Sequence, residues 1–213
     1  MAVGGSRHNR RVSSRRVKHE YFGGLMINRQ RLLWTVATRR QLERWEPYVA
    51  ADVRLSIKGG KLDPADIWSA EIEHHFALIA ARNLIRALEL DPATRVSIDS
   101  ILRGELIEGR DLHEHWPENM PVFNVKPRAE QPSHRSGRDF AKRNPDRGPY
   151  WWLSWSNKIG AQLLPNVSAP ALHQLLDAVE AEVLADDPAL ERFLPPRASS
   201  PWLQQGGGWW PKQ

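Results

Sequence analysis

The chain alternates stretches of helical apolar periodicity with stretches that have none. Residues 26–45, "MINRQRLLWTVATRRQLERW", have the pattern of an amphipathic helix. After the Gly59-Gly60 break, Asp63-Pro64 is a typical helix start, with Asp as N-cap and Pro in the first turn. The helix that follows is apolar over a broad face, which predicts a place at the centre of a bundle. Its apolar residues are Ile67, Trp68, Ile72, Phe76, Ile79, Ala80 and Leu84, with Leu78, Ile85 and Leu88 widening the face.

Two further helices are predicted in the second half of the chain. Residues from about 94 to 115 repeat apolar side chains at helical spacing until a Trp-Pro pair stops the helix. Ser168 is a suitable cap for the last helix. Between the two, residues 150–168 are rich in strand formers around 156–158 and predict a β-hairpin folded over the bundle. The expected fold is mainly α: a four-helix bundle with an inserted β-hairpin and disordered termini.

Segments without periodicity set the expected domain boundaries. Residues 1–25 have almost no apolar content and should be disordered in isolation. The first helical pattern begins at Met26, which leaves open whether the basic arm before it is translated. Residues 120–149 are rich in Pro, Arg, Ser and Asn and predict a long basic loop, and residues 195–213 form a low-complexity tail. The bundle domain is therefore expected to span residues 26–194.

Composition limits the classes of protein that fit. A chain of 213 residues can form one domain with a proper core. Its 41% hydrophobic and 26% charged residues are ordinary globular values, and no apolar run approaches the roughly 20 residues of a membrane span. Cysteine is absent, which excludes disulfides and thiolate chemistry, and no signal-peptide pattern stands near the N-terminus. We expect a cytoplasmic protein without membrane association or cofactor.

The charge is concentrated in two segments. Residues 1–25 hold six of the 30 basic residues and one of the 25 acidic ones, so this arm carries the whole net charge of +5 and the rest is neutral. The loop adds a second basic cluster, followed by three tryptophans. This pairing is typical of single-stranded nucleic acid binding, although clustered tryptophans also cap cores. The candidate binding residues are Lys126, Arg128, Arg135, Arg138, Lys142 and Arg143, with Trp151, Trp152 and Trp155 as stacking platforms.

The densest chemistry lies in "ELIEGRDLHEHWPEN", residues 105–119. On a helix, Asp111 and His115 share a face, and Arg110 is long enough to address the same ligand. Histidine exchanges protons near neutral pH and a guanidinium binds phosphoryl oxygens, so this set can cleave RNA through its 2′-hydroxyl without a metal. The same residues also fit an ordinary helix end, in which Arg110 pairs with Glu114 and His115 interacts with the helix dipole.

The segment "RDLHEH" resembles the signature of the HEPN superfamily: an Arg followed by four to six residues and then a His, with a polar residue directly after the Arg, on a late helix of a small α-bundle. The resemblance covers residues 26–117 and 169–186. It implies a homodimer formed through the motif helices and a metal-free ribonuclease site of toxin or defence type, with RNA as substrate and an antitoxin or other protein as partner. By this resemblance Arg110 would hold the scissile phosphate, His115 would act as acid or base, and Asp111 would orient it.

Two other classes of function fit parts of the chain. The first is a non-catalytic interaction module that binds nucleic acid or a partner protein through the basic arm and loop. The second is a metal-binding bundle, because Glu71 and His74 have the Glu-x-x-His spacing of metal-carboxylate helices. Glu73 and His75 stand beside them, and although no other helix carries a second such pair, Asp111 with His115 could substitute to give a mixed site. Arg128 and His134 repeat the Arg-His spacing in the loop, so helical context selects Arg110.

Overall fold

The structure is a computed structural model that describes residues 7–114, 161–164 and 166–196, with the side chains of 24–110 in the first of these ranges. It is mainly helical with one small antiparallel hairpin, which confirms the predicted fold class. None of the described helices combines the length and apolar character that crossing a membrane requires. In chain order the elements are α1 (Arg7–Ile57), α2 (Pro64–Glu89), α3 (Ser100–Glu114), β1 (Gln162–Leu164), β2 (Val167–Ser168), α4 (Ala169–Asp186) and a 3-10 helix (Pro188–Phe193).

Helix α1 is far longer than its apolar pattern predicts. It begins at Arg7 and continues through Pro47 to Ile57, so the predicted end near Trp45 is wrong. The backbone of the basic arm is thus helical from Arg7 onward, and its behaviour in isolation stays a prediction. The apolar side chains of α1 that reach the core are Leu32, Leu42, Trp45 and Val49.

Helix α2 starts as predicted. Asp63 caps it, because its Oδ1 accepts a hydrogen bond from the Ala65 backbone N–H at 2.8 Å, and Pro64 lies in the first turn. The predicted core face is only half right. Leu78, Leu84, Ile85 and Leu88 are buried, as are the small residues Ala70, Ala77 and Ala81, whereas Ile67, Trp68, Ile72 and Phe76 are exposed. The helix is apolar on two sides, and the side lined by alanines is the one that it buries.

Helix α3 begins later than predicted. Asp99 is its cap, since its Oδ1 accepts from the backbone N–H groups of Ile101 and Leu102 at 2.9 and 3.0 Å. The chain before it is not helical, and the backbone N–H of Arg95 donates instead to Glu182 on α4 at 2.8 Å. Ile101 belongs to the apolar repeat of residues 94–115, which predicts a buried position, but its side chain is exposed. The predicted Trp-Pro stop after α3 lies outside the described residues.

The hairpin lies at the C-terminal end of the predicted segment. Leu164 pairs with Val167 and Gln162 with Ser168, so the described turn follows Leu164, while the predicted turn at 156–158 is outside the described residues. Ser168 caps α4 as predicted, because its Oγ accepts from the Ala171 backbone N–H at 3.2 Å. All three residues of β1 are buried, so this small sheet closes one side of the core.

Candidate functional site at the end of helix α3

Arg110 occupies the last turns of α3 and is partly buried. The backbone stays helical to Glu114, so Arg110 and Asp111 lie on a helix, as the motif requires. The side chain of Asp111 and the whole of His115 lie outside the described residues. The structure therefore places one of the three predicted catalytic side chains, and the convergence of all three remains a prediction.

The hairpin holds this end of α3 from one side. A Cβ added to Gly109 would lie 2.9 Å from Cδ1 of Leu164, so only glycine lets the helix approach β1 this closely. One turn earlier, the carboxylate of Glu105 accepts hydrogen bonds from the backbone and side-chain N–H groups of Asn166. Leu106 is fully buried between these contacts. Arg110 thus follows directly after a fixed contact between helix and sheet.

The predicted nucleic-acid-binding residues of the loop are not within the described part of the chain. This holds for Lys126, Arg128, Arg135, Arg138, Lys142 and Arg143, for Trp151, Trp152 and Trp155, and for His134 of the second Arg-His match. Their role stays a prediction from the sequence.

The predicted metal ligand His74 has a structural role. It is 2% exposed, its Nε2 lies 2.6 Å from the Leu163 carbonyl oxygen, and its ring packs 5.6 Å from that of Trp45. Burial lowers the pKa of His74 to about 4, so the ring is neutral and its Nε2–H donates to the carbonyl. Burial also raises the pKa of Glu71. Over the described residues, no three His, Asp or Glu side chains are grouped so as to hold a metal ion.

A buried arginine that the sequence analysis missed joins three parts of the fold. The side chain of Arg31 is fully buried on α1, and its guanidinium lies 2.7 Å from Asp91 and 2.8 Å from Glu182. Burial alone would raise the pKa of Glu182, but the Arg95 N–H, the charge of Arg31 and the hydrogen bonds from Arg31 and Thr94 lower it overall. The cluster therefore favours the ionised form of the Glu182 carboxylate at the junction of α1, the α2–α3 connection and α4.

Further polar contacts join α1 to α4. Arg39 bonds to Asp177 and Glu180, each at 3.0 Å. His173 Nε2 lies 2.7 Å from Oε1 of Glu46, which is fully buried. A signal for these contacts exists in the sequence, because α1 and α4 each carry polar residues at helical spacing. On α1 these are Arg31, Thr35, Thr38, Arg39 and Glu46, and on α4 they are His173, Asp177 and Glu180.

A cleft of about 550 Å³ opens at the other end of α3. It lies between the extended residues 95–99 and α4, with Leu102, Leu175 and Glu182 among its lining. Arg110 does not line it, so this cleft is separate from the predicted catalytic position.

No protein-family model, curated protein or solved structure matches this chain. The class of protein is therefore defined by its fold and site alone. It is a mainly helical bundle in which a short hairpin contacts the end of α3, and that helix end carries a partly buried arginine.

Proposed function

We propose that this protein is a HEPN-like RNA-binding protein or metal-independent endoribonuclease of toxin or defence type, acting in the cytoplasm as a homodimer. The observation that supports the proposal is the position of Arg110. It lies on helical backbone near the end of α3, in a mainly helical bundle, and follows the Gly109 contact with Leu164. Helical context is the feature that favours Arg110 and His115 over the second Arg-His pair, Arg128 and His134, in the loop.

The chemistry assigned to the site is transfer within the RNA strand. His115 would remove the proton of the 2′-hydroxyl, whose oxygen attacks the adjacent phosphorus and displaces the 5′-oxygen of the next nucleotide. The protonated imidazole would then give a proton to this departing oxygen, which leaves as a hydroxyl group. The guanidinium of Arg110 would bind the phosphoryl oxygens and stabilise the extra negative charge of the phosphorane. Asp111 would hold the imidazole in the productive orientation. DNA would not react, because it lacks the nucleophile.

The test compares cells that express the wild type, His115→Ala or His134→Ala at matched protein levels. We expect the wild type to arrest growth and fragment total RNA, and His115→Ala to do neither. His134→Ala removes the histidine of the loop match and is the matched control, so it should behave like the wild type. If purified wild type leaves RNA intact, or if His115→Ala cleaves it as fast, the ribonuclease proposal is wrong.

A second candidate function is the non-catalytic interaction module. It gains support from α1, whose backbone is helical from Arg7. The sequence spacing of Arg7, Arg11, Arg15 and Lys18 puts four basic positions on one face of such a helix, where they can follow a phosphate backbone. Purified wild type that binds RNA in an electrophoretic mobility-shift assay and leaves it uncleaved would favour this function.

The metal-binding alternative receives no support from the part of the chain that the structure describes. The Nε2 of His74 is hydrogen-bonded to the Leu163 carbonyl, and no three His, Asp or Glu residues among the described side chains form a group that could hold a metal ion.

A further inference from the structure

The side of α2 that faces away from the core carries large apolar side chains. Trp68, Ile72 and Phe76 are 68%, 51% and 49% exposed. At 100° per residue, these three positions and the partly buried Ile79 fall within an arc of roughly 80°. We call these four residues the α2 outer face. It lies opposite the alanine-rich side that packs into the bundle.

None of the four residues of the α2 outer face carries a charge. Solvated helix faces normally carry charged and polar side chains, and a continuous exposed apolar patch marks an interaction site. The positions between 65 and 79 that lie within about 60° of its centre are Ala65, Trp68, Ser69, Ile72, His75, Phe76 and Ile79. Glu71 and Glu73 lie about 100° from the centre, one on each side, and Arg82 lies about 80° from it.

The apolar area is large enough to anchor an interface. The exposed parts of Trp68, Ile72 and Phe76 amount to roughly 350 Å², against the 800 Å² or so that each partner of a standard interface buries. A helix packed on this face at an interaxial distance of about 8–10 Å would also cover the neighbouring side chains of α2.

The arrangement of the face fits a second copy of itself. Trp68 and Ile79 lie at its two ends, and Ile72 and Phe76 lie symmetrically about residue 74. Two antiparallel copies of α2 related by a two-fold axis near residue 74 would place Trp68 of each against Ile79 of the other, and Ile72 against Phe76. Such a self-matching patch is what an isologous contact requires, and homodimer interfaces are more apolar than transient ones.

We propose that the α2 outer face is the contact surface of a homodimer in which two copies of α2 pack antiparallel. The proposal places the dimer contact on α2, whereas the HEPN resemblance implies a dimer through the motif helix, here α3, so the two contacts are alternatives and a dimer through α3 would persist when Ile72 is replaced. The proposal does not require Arg110 to act on RNA, and its test measures assembly alone.

The test uses Ile72, which lies near the proposed two-fold axis. In sedimentation of the full chain at about 1 to 100 µM, we expect the wild type to be a dimer, and Ile72→Glu and Ile72→Lys to dissociate at least about 30-fold more readily. Because two copies of residue 72 come close at the axis, like charges repel in each variant. An equal mixture of the two variants should therefore form a dimer again.

Ile101→Glu is the control, since Ile101 is a similarly exposed apolar residue on α3, 58% accessible, and its substitution should leave the dimer intact. Circular dichroism verifies the helical fold of each variant, and Trp68→Lys replaces Ile72→Lys if the latter unfolds. A wild type that is monomeric throughout this range would overturn the proposal, since the face would then be covered by another protein or another segment of the chain. A dimer that persists in Ile72→Glu, or a mixture that stays monomeric, would overturn it as well.

Discussion

Two histidines in the core each bind one strong acceptor. His74, on α2, donates to the Leu163 carbonyl of β1, and His173, on α4, lies 2.7 Å from the carboxylate of Glu46 on α1. Buried polar groups have to be satisfied in this way, because an unpaired one costs about 1–3 kcal/mol. The Glu-x-x-His spacing therefore puts Glu71 and His74 one turn apart on α2, but it does not make them metal ligands. Each histidine instead joins two elements of the bundle.

The burial of His74 makes stability depend on pH. Its pKa in the folded protein, about 4, is below the ordinary value of 6.5, so the folded state favours the neutral ring. The contribution to stability is fully present above pH 6.5 and is lost as the pH falls towards 4. Linkage puts the loss at about 3 kcal/mol over this window. His74→Gln keeps an N–H donor but does not titrate, and it is the reference variant.

Urea unfolding of wild type and His74→Gln between about pH 7 and pH 4 measures this loss. Both proteins also lose the contribution of ionised carboxylates such as Glu182 at low pH, so the difference between them isolates the histidine. We expect the stability of the wild type relative to His74→Gln to fall by about 3 kcal/mol. A difference that stays constant with pH would show that the ring is already charged, or equally accessible, in the folded state.

At the scale of helices and strands, capping residues predicted helix starts and apolar periodicity alone did not. Asp63 and Ser168 cap α2 and α4 at the predicted residues. The predicted start of α3, near residue 94, is too early. Val96 and Ile98 pack against the core from extended backbone, and their spacing also fits a helix. Periodicity likewise shows that α2 is apolar, but which side it buries depends on the alanines that let α1 approach.

The approach of α3 to β1 gives a prediction about two glycines of one helix. Replacing a helical glycine by alanine normally stabilises by about 0.5–1 kcal/mol. Gly104→Ala should do so, because no atom lies within 4 Å of the added Cβ. Gly109→Ala gains the same propensity, but its Cβ would meet Cδ1 and Cδ2 of the buried Leu164 at 2.9 Å. Relieving that overlap costs about 1–3 kcal/mol.

Chemical denaturation of the two alanine variants measures the difference. We expect Gly109→Ala to be at least about 1 kcal/mol less stable than Gly104→Ala. Since Arg110 follows Gly109, the change should also disturb the end of α3 that carries the candidate site. If both variants are equally stabilised, Leu164 has room to move, and the close contact does not fix this end of the helix.

At the scale of the whole molecule, the sequence predicts the fold class and the helical position of Arg110, but not the contacts that join distant segments. Arg31 and Glu182 are 151 residues apart. Arg31 belongs to a polar stripe of α1, but Glu182 lies about 140–180° around α4 from His173, Asp177 and Glu180, so the contact between Arg31 and Glu182 depends on the packing of α1 against α4. The same limit applies to the site, because the approach of Asp111 and His115 to Arg110 depends on how the chain leaves α3. That approach stays a prediction.

Arg31 should therefore contribute more to stability than a less buried arginine of the same helix. Arg31→Met removes the cation and leaves Asp91 and Glu182, which are 12% and 6% exposed, without it. Breaking a buried pair in this way costs about 3–5 kcal/mol. Arg39→Met is the matched control: it also removes a cation from a buried carboxylate, that of Glu180 at 8% exposed, but the second partner of Arg39, Asp177, is 51% exposed and water can solvate it. We therefore expect Arg39→Met to lose less stability than Arg31→Met. Because Arg31 contacts residues of three segments, thermal unfolding should show one cooperative transition at a lower temperature. An Arg31→Met variant no less stable than Arg39→Met would mean that the bundle does not depend on this ionic cluster, and that apolar packing alone holds α1, α4 and the α2–α3 connection together.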